Sequence, residues 1–162
     1  EMCIRDSYYT NFTYWTQHCW GVTCVNDMEA MLSYQPITIG DKEQALADLV
    51  RCYEKMMMRS HTNGGYVNLL DECWKMCEKF HTNIVIMYDH VSCKNVGGLH
   101  GLFEDQARER GIHLIWIPHD VMDPRTVSRR EMREAFSQYM VTVLNEKPLD
   151  PTLLDYEDTL SW

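Results

Sequence analysis

A strand, a helix and a second strand follow one another between residues 84 and 117, and this order constrains the fold more than any other part of the chain. Residues 84–88 form an apolar run with the length of a buried strand. Gly111 stands where a helix commonly ends, and the apolar residues 113–117 follow it at once. Two strands joined through a helix pair in parallel, so this segment predicts a βαβ unit. The helix between them should turn Leu99, Leu102, Phe103 and Ala107 inward.

A cysteine lies just beyond the first strand of this unit. Cys93 follows the apolar run by a few residues, and Gly97 and Gly98 come shortly afterwards, where the helix is expected to begin. Ligand crevices of open α/β sheets form at the carboxyl ends of parallel strands. A helix amino terminus in addition favours an anion. This position makes Cys93 a candidate metal ligand or nucleophile.

The chain upstream of this unit predicts helices and one short strand. Residues 8–18 should form the tail of a helix, and residues 22–25 a strand. Asp41 can cap the next helix, with Gln44 at the reciprocal capping position. The buried face of that helix is predicted to contain Leu46, Leu49, Val50, Tyr53 and Met57.

Two further helices are predicted with clear boundaries. The first covers residues 66–80, after a break at residues 62–65 that ends in two glycines. A capping box of Ser128 and Glu131 begins the last helix. That helix should bury Met132, Phe136, Tyr139 and Val143.

Together these elements predict the α/β class, with a Rossmann-like or flavodoxin-like doubly wound parallel sheet. The sheet is incomplete, because the sequence contains about three strands beside about four helices. We expect a strand and its partner helix to precede residue 8 in a longer parent protein. Residues 8–145 then form a C-terminal α/β domain, and residues 146–162 form a tail that packs on the body or on a partner.

The first seven residues stand apart from the rest. Read as codons, residues 1–7 match the translated end of a transposase-based sequencing adapter. We interpret this segment as a scar that takes no part in folding, which removes Cys3 from the chemistry of the protein.

Composition argues against several functional classes. The formal net charge is −9 at pH 7, whereas nucleic-acid binding requires a basic surface. No apolar run approaches the ~20 residues that cross a bilayer, so no membrane partner is expected. Four arginines lie close together, and a solvated helix face is a simpler interpretation of them than a phosphate site. They are Arg125, Arg129, Arg130 and Arg133.

The remaining cysteines indicate reduced thiols rather than a disulfide scaffold. Cys73 and Cys77 have a spacing that could serve a metal ion, but they fall on the apolar stripe of the helix over residues 66–80, together with Tyr66 and Leu70. We therefore predict that this pair packs in the core. Free thiols and abundant methionine suit a reducing, anaerobic cytoplasm. The other cysteines beside Cys93 are Cys19, Cys24 and Cys52.

Two motifs in and after the βαβ unit resemble a known family. Asp-His-Val-Ser-Cys-Lys follows the first strand at residues 89–94, and Asp-Pro-Arg-Thr-Val-Ser follows the second at residues 123–128. Met-Arg-Glu-Ala-Phe stands at residues 132–136. In this order and spacing, the motifs are similar to those in the C-terminal domain of the 2-hydroxyacyl-CoA dehydratase and benzoyl-CoA reductase family.

The likeness covers residues 83–140 well and residues 20–145 loosely, and it implies a subunit that holds an iron–sulfur cluster. It implies that Cys93 is the last of three cysteine ligands of a [4Fe-4S] cluster, with the other two in an N-terminal domain outside this sequence. Neighbours that would tune the cluster are His90, Ser92 and Lys94.

The resemblance also implies the chemistry and the partners. Family members remove water from a 2-hydroxyacyl-CoA thioester through a ketyl radical, in anaerobic metabolism such as amino-acid fermentation, and an open cluster iron serves as a Lewis acid. The implied partners are a paralogous second subunit, an ATP-dependent iron–sulfur activator protein and the acyl-CoA substrate. A benzoyl-CoA reductase-type subunit is the alternative within the family. The chain alone should be inactive.

Three interpretations outside the family stay open from the residues alone. Cys93 could be a nucleophile with His90 as its base, although no Gly-x-Cys-x-Gly elbow surrounds it. A dinucleotide-binding module would need the register Gly-x-Gly-x-x-Gly, which residues 96–101 lack. A zinc site could form where two strands end, although structural zinc sites favour more cysteines. The zinc candidates are Asp89, His90, Cys93, His119 and Asp120.

Overall fold

The computed structural model describes residues 11–28, 36–54, 59, 64–120, 122–123 and 125–155. Outside this part lie the adapter-like residues 1–7, the helix position Met57, residues 62–63 of the predicted break and the end of the tail, residues 156–162. Within the described part the protein is mixed α/β. Its helices are α1 (Phe12–Trp20), α2 (Lys42–Glu54), α3 (Tyr66–Phe80), α4 (Lys94–Gly97), α5 (His100–Arg110), α6 (Arg129–Thr142) and a 3-10 helix at Pro151–Leu153.

Two parallel strands form the sheet that these residues show. They are β1, Ile84–His90, and β2, His113–His119. The strands pair along their whole length, so that His90 stands opposite His119. The predicted βαβ unit is therefore confirmed. Both strands extend beyond the apolar runs, because polar residues at their ends continue the hydrogen-bonded ladder. One further hydrogen bond follows, from Val91 N–H to the carbonyl of His119 at 3.1 Å.

The first hydrophobic core lies between one face of the sheet and the helices α3 and α5. Met87 supplies the centre of this face from β1. Trp74 of α3 meets Phe103 of α5 edge-on, with 5.8 Å between the ring centroids. The other buried members are Leu69, Leu70, Cys73, Cys77, Val96, Leu99, Ala107 and Leu114. The prediction that Cys73 and Cys77 belong to the core is confirmed.

The second core lies on the opposite face, under α1 and α6. Phe136 stands at its centre and meets three aromatic rings of α1 edge-on, at centroid distances of 5.8 to 6.4 Å. Those rings belong to Phe12, Trp15 and Trp20. Since successive strand residues point to opposite faces, a sheet covered by helices on both sides needs strands that are apolar at nearly every position. The runs at residues 84–88 and 113–117 meet that need.

Residues 149–153 return to α1 after the last long helix. Leu149 N–H donates to the carbonyl of Cys19 at 2.7 Å, and the indole N–H of Trp15 donates to the carbonyl of Leu153 at 2.9 Å. Residues 8–10 of the helix predicted over residues 8–18 lie outside the described part. The rest of that helix is present from Phe12 and continues to Trp20, where Gly21 ends it in the left-handed conformation, at φ 72°.

The predicted caps have mixed outcomes. The capping box of Ser128 and Glu131 is complete, with both reciprocal hydrogen bonds present. Asp41 does accept from the backbone N–H groups at the start of α2, at 3.1 Å. The side chain of Gln44 does not return to Asp41 as predicted. It donates instead to Asp48 Oδ1, at 2.8 Å.

The predicted strand at residues 22–25 is wrong. Residues 21–27 have no regular secondary structure. This segment and β1 line the same cavity of about 340 Å³, which separates much of the segment from the strand. A short β-prone run becomes a strand only where a neighbour completes its hydrogen-bond ladder, so the described part of the sheet has two strands rather than three.

The predicted buried face of α2 is also wrong. Its large apolar side chains are between 41% and 58% exposed, and the residue of α2 that is buried is Asp48. Asp48 accepts hydrogen bonds from the backbone N–H and the hydroxyl of Thr38, at 3.0 and 2.7 Å, and pairs with Arg51 at 2.9 Å. A carboxylate with this many donors tolerates burial. The exposed residues are Leu46, Leu49, Val50 and Tyr53.

Smaller corrections concern three positions on predicted apolar stripes. Leu102 is 41% exposed, because α5 turns Phe103 and Ala107 inward and residue 102 lies beside that face. Val143 is 54% exposed because α6 ends at residue 142, and Met140 is buried instead. Tyr66 is exposed at the start of α3.

Candidate functional site at the carboxyl edge of the sheet

Cys93 lies in the loop that leaves β1 at its carboxyl end. Its backbone N–H donates to the carbonyl of His90 at 2.9 Å, and its own carbonyl accepts from Gly97 N–H at 3.1 Å. The side chain is half-buried and packs against the first core. Cys93 caps α4, a helix of four residues, rather than the long helix expected from the glycines. So short a helix supplies little of the anion-favouring dipole predicted at this position.

His90 is a buried polar neighbour of this loop. Its side chain is 9% exposed, and Nδ1 accepts a hydrogen bond from the backbone N–H of Ser92 at 3.0 Å. A neutral imidazole therefore carries its proton on Nε2. That nitrogen faces Asp120 Oδ1, at 3.6 Å. Because both ring nitrogens are engaged, this arrangement does not offer His90 as a base for the Cys93 thiol.

Asp120 and His119 complete a buried polar cluster at the end of β2. Asp120 Oδ1 accepts from the backbone N–H groups of Met122 and Asp123, at 2.9 and 3.3 Å, and these bonds hold the pKa of the carboxyl below its usual range. The His119 ring lies 6.0 Å from the ring of His90. Burial, and then the neighbouring His90, lower the pKa of His119 to about 4. His119 is thus neutral, and Asp120 ionised, at neutral pH.

A second imidazole and carboxylate stand nearer the surface. His100 Nε2 lies 3.4 Å from Asp89 Oδ1, and the ring stacks on Trp116 with 3.6 Å between centroids. The sequence did not single out His100. Its partners come from β1 and β2, and no local spacing connects a residue at the start of α5 with side chains on two strands.

Asp123 and Arg125 of the Asp-Pro-Arg motif form an ion pair in the loop after β2. Arg125 donates from Nε and Nη2 to the two carboxylate oxygens of Asp123, at 2.9 and 2.7 Å. These bonds lower the pKa of Asp123. The arginine side chain is otherwise largely exposed.

The four clustered arginines do not form one solvated face. Arg130 is exposed and pairs with Glu134 at 2.7 Å, as expected for the surface of α6. Arg133 is 6% exposed, which contradicts the prediction for that residue. Long arginine side chains can be buried where their aliphatic part packs on apolar neighbours.

The cysteines of the described residues do not make a complete cluster site. Cys73 and Cys77 belong to the first core and Cys19 to the second. Nowhere in the described ranges do three His, Cys, Asp or Glu side chains lie close enough together to hold a metal ion. In the described part of the chain, Cys93 is the cysteine that would supply a thiolate to the implied cluster.

The same geometry bears on the interpretations outside the family. No three of the five zinc candidates, all of them described residues, are arranged to hold a metal ion. Asp120 and His90 also accept hydrogen bonds from backbone N–H groups. For a dinucleotide, a glycine-rich turn would have to join β1 directly to a helix. Gly97 instead ends α4, and Gly98 follows it.

Comparison of the chain with protein-family models, with curated proteins and with solved structures gives no match. Among the described residues, no helix combines the length and the apolar character that crossing a membrane requires.

Proposed function

We propose that this chain is the C-terminal, cluster-binding part of a subunit of an iron–sulfur 2-hydroxyacyl-CoA dehydratase, built on a Rossmann-like parallel sheet and acting in the cytoplasm. Its contribution is Cys93, one thiolate ligand of a [4Fe-4S] cluster. The resemblance of the motifs suggests the family. The structural observation that carries the proposal is the place of Cys93, half-buried at the carboxyl end of a parallel strand.

The Cys93 loop has the properties that a ligand position needs. Backbone hydrogen bonds tie it to His90 before the cysteine and to Gly97 after it. The Ser92 N–H bond to the buried imidazole of His90 fixes the peptide next to Cys93. A ligand held in this way loses little freedom when it binds. His90 is then a positioning residue, and the exposed Ser92 and Lys94 side chains are available to a neighbouring domain or partner.

A cluster held by three thiolates leaves one iron open, which supplies a Lewis acid and a path for single electrons. With that group the proposed reaction is the radical elimination of water from a 2-hydroxyacyl-CoA. The proposed partners are a paralogous second subunit and an ATP-dependent iron–sulfur activator protein. A subunit of the benzoyl-CoA reductase type remains the alternative inside the family.

A first test uses the 162-residue chain itself. Anaerobic reconstitution with iron and sulfide should leave no stable stoichiometric cluster after gel filtration, because one thiolate cannot replace three. Iron analysis and electron paramagnetic resonance of the eluted protein measure this. A four-iron cluster in stoichiometric amount on this chain would overturn the proposal that its other ligands come from elsewhere.

A second test reads the parent DNA upstream of the codon for residue 8. The proposal predicts an open frame that continues into a second α/β domain with two further loop cysteines. A start codon immediately upstream, with no such domain, would leave Cys93 without co-ligands and would refute the dehydratase assignment.

A further inference from the structure

A cavity of about 340 Å³ lies between residues 21–28, β1 and α3, and its wall is rich in sulfur. The chain has 11 methionines and 7 cysteines among 162 residues. Of the 22 residues that line this cavity, six are of these two types, so sulfur is enriched more than twofold here. They are Cys24, Met28, Cys73, Met76, Cys77 and Met87.

Two of the cysteines reach the cavity from successive turns of α3. Cys73 and Cys77 stand one turn apart on α3, where side chains at this spacing are neighbours. Both side chains line the cavity, and both belong to the first core.

Arg110 also supplies a positive charge that acts on both thiols. Its guanidinium carbon lies 5.0 Å from the centre of the Trp74 ring, and Trp74 itself is buried next to Cys73 in α3. The charge of Arg110 therefore stabilises a negatively charged complex at Cys73 and Cys77.

We propose that the Cys73–Cys77 pair is a binding site for a soft monovalent metal ion, Cu(I), which enters through the sulfur-lined cavity. Thiolate and thioether sulfurs are the donors that select Cu(I). The ion accepts two thiolates without a full tetrahedral shell. Two thiols bind one Cu(I) and release two protons, which leaves a complex of net charge −1 beside Arg110. Met76, on the same wall, is the candidate for a third and weaker donor.

Harder ions fit this place poorly. Zinc prefers a closed shell of four nitrogen and sulfur ligands. In the ranges that the structure describes, no group of three His, Cys, Asp or Glu side chains is close enough to begin such a shell. The proposed site is separate from Cys93 and does not rest on the dehydratase assignment.

The test titrates the reduced chain with Cu(I) under anaerobic conditions, in competition with a colorimetric Cu(I) chelator. The wild-type chain should retain one Cu(I) per molecule. The variants Cys77→Ser and Cys73→Ser/Cys77→Ser should lose it, whereas Cys52→Ser, which changes a thiol on α2 that does not line the cavity, should keep it. Cys77→Met, which keeps a soft donor, should restore part of the binding. Circular dichroism shows which variants are folded.

A measurement on the wild-type chain keeps the proposal open to refutation if the cysteine variants fail to fold. X-ray absorption at the copper edge should find a shell of sulfur donors only, and Cu(I) should raise the melting temperature. Nitrogen or oxygen donors in that shell, or no rise in melting temperature, would overturn the proposal. Equal Cu(I) retention by wild type and a folded Cys77→Ser variant would overturn it as well.

Discussion

His90 and His119 occupy equivalent positions on neighbouring strands, yet their surroundings give them different tasks. His90 accepts a backbone N–H at Nδ1 and faces the Asp120 carboxylate with Nε2, so it holds the loop that carries Cys93. His119 is 1% exposed and lies beside the His90 ring, where burial makes a positive charge unfavourable. Residue type alone does not distinguish these two roles.

The burial of His119 predicts a pH dependence of stability. Its pKa in the folded chain is lowered to about 4 from the ordinary value of 6.5, so the unfolded chain binds more protons between these values. The free energy of unfolding is not reduced by this group above the ordinary pKa. It falls as the pH drops toward the folded pKa, by about 3 kcal/mol in all. Urea unfolding between about pH 7 and pH 5 measures the change.

A variant at this position isolates the effect. His119→Gln should flatten the dependence in this pH range, since a neutral side chain takes up no proton in either state. A His119→Gln chain that loses stability with acid as steeply as the wild type would contradict the assignment.

The position of Cys93 could be predicted from the sequence, but its polar surroundings only in part. A cysteine that follows a buried run must lie at the end of a strand, and the structure places it there. The contact of His100 with Asp89 and Trp116 had no counterpart in the sequence pattern. It depends on how far α5 is displaced along the strands, which local periodicity does not encode.

At the scale of elements, α2 and α3 show that helical periodicity does not by itself predict whether the apolar face of a helix is buried. Both sequences carry an apolar stripe, and both form helices. The stripe of α3 packs on the sheet, whereas that of α2 is largely exposed and the helix turns Asp48 toward Thr38. A stripe predicts which residues share a face, but whether that face is buried depends on a surface supplied by another part of the molecule.

Truncating a side chain on the stripe of α3 should therefore lower the free energy of unfolding more than truncating one on the stripe of α2. Leu70→Ala in α3 removes a side chain that is 4% exposed and should lower the free energy of unfolding by about 2–5 kcal/mol. Leu49→Ala in α2 removes one that is 41% exposed and should change it by less than about 0.5 kcal/mol. Chemical denaturation of each variant beside the wild type measures both.

The volume-conserving change Leu70→Met is the control for the buried position, and it should cost less than about 1.5 kcal/mol. If Leu49→Ala destabilised the chain as much as Leu70→Ala does, the apolar face of α2 would be packed in solution, which would contradict its exposure in the structure.

At the scale of the whole molecule, two cores on opposite faces of a parallel sheet hold the carboxyl edge in place. The βαβ unit could be predicted because its strands, helix and glycine stop follow one another without interruption. The strand predicted at residues 22–25 is wrong because strand pairing is a long-range property, and residues 21–28 line a cavity beside β1 instead of forming a ladder.

The central claim is that Cys93 is a thiolate ligand of a cluster completed by residues outside this chain. The most direct test expresses the subunit encoded by the extended parent gene and compares wild type, Cys93→Ser and Cys52→Ser by iron analysis and electron paramagnetic resonance. Wild type and Cys52→Ser should carry the same four-iron cluster, and Cys93→Ser should lose it or retain an incomplete one. A Cys93→Ser subunit with the iron content and spectrum of the wild type would contradict the claim.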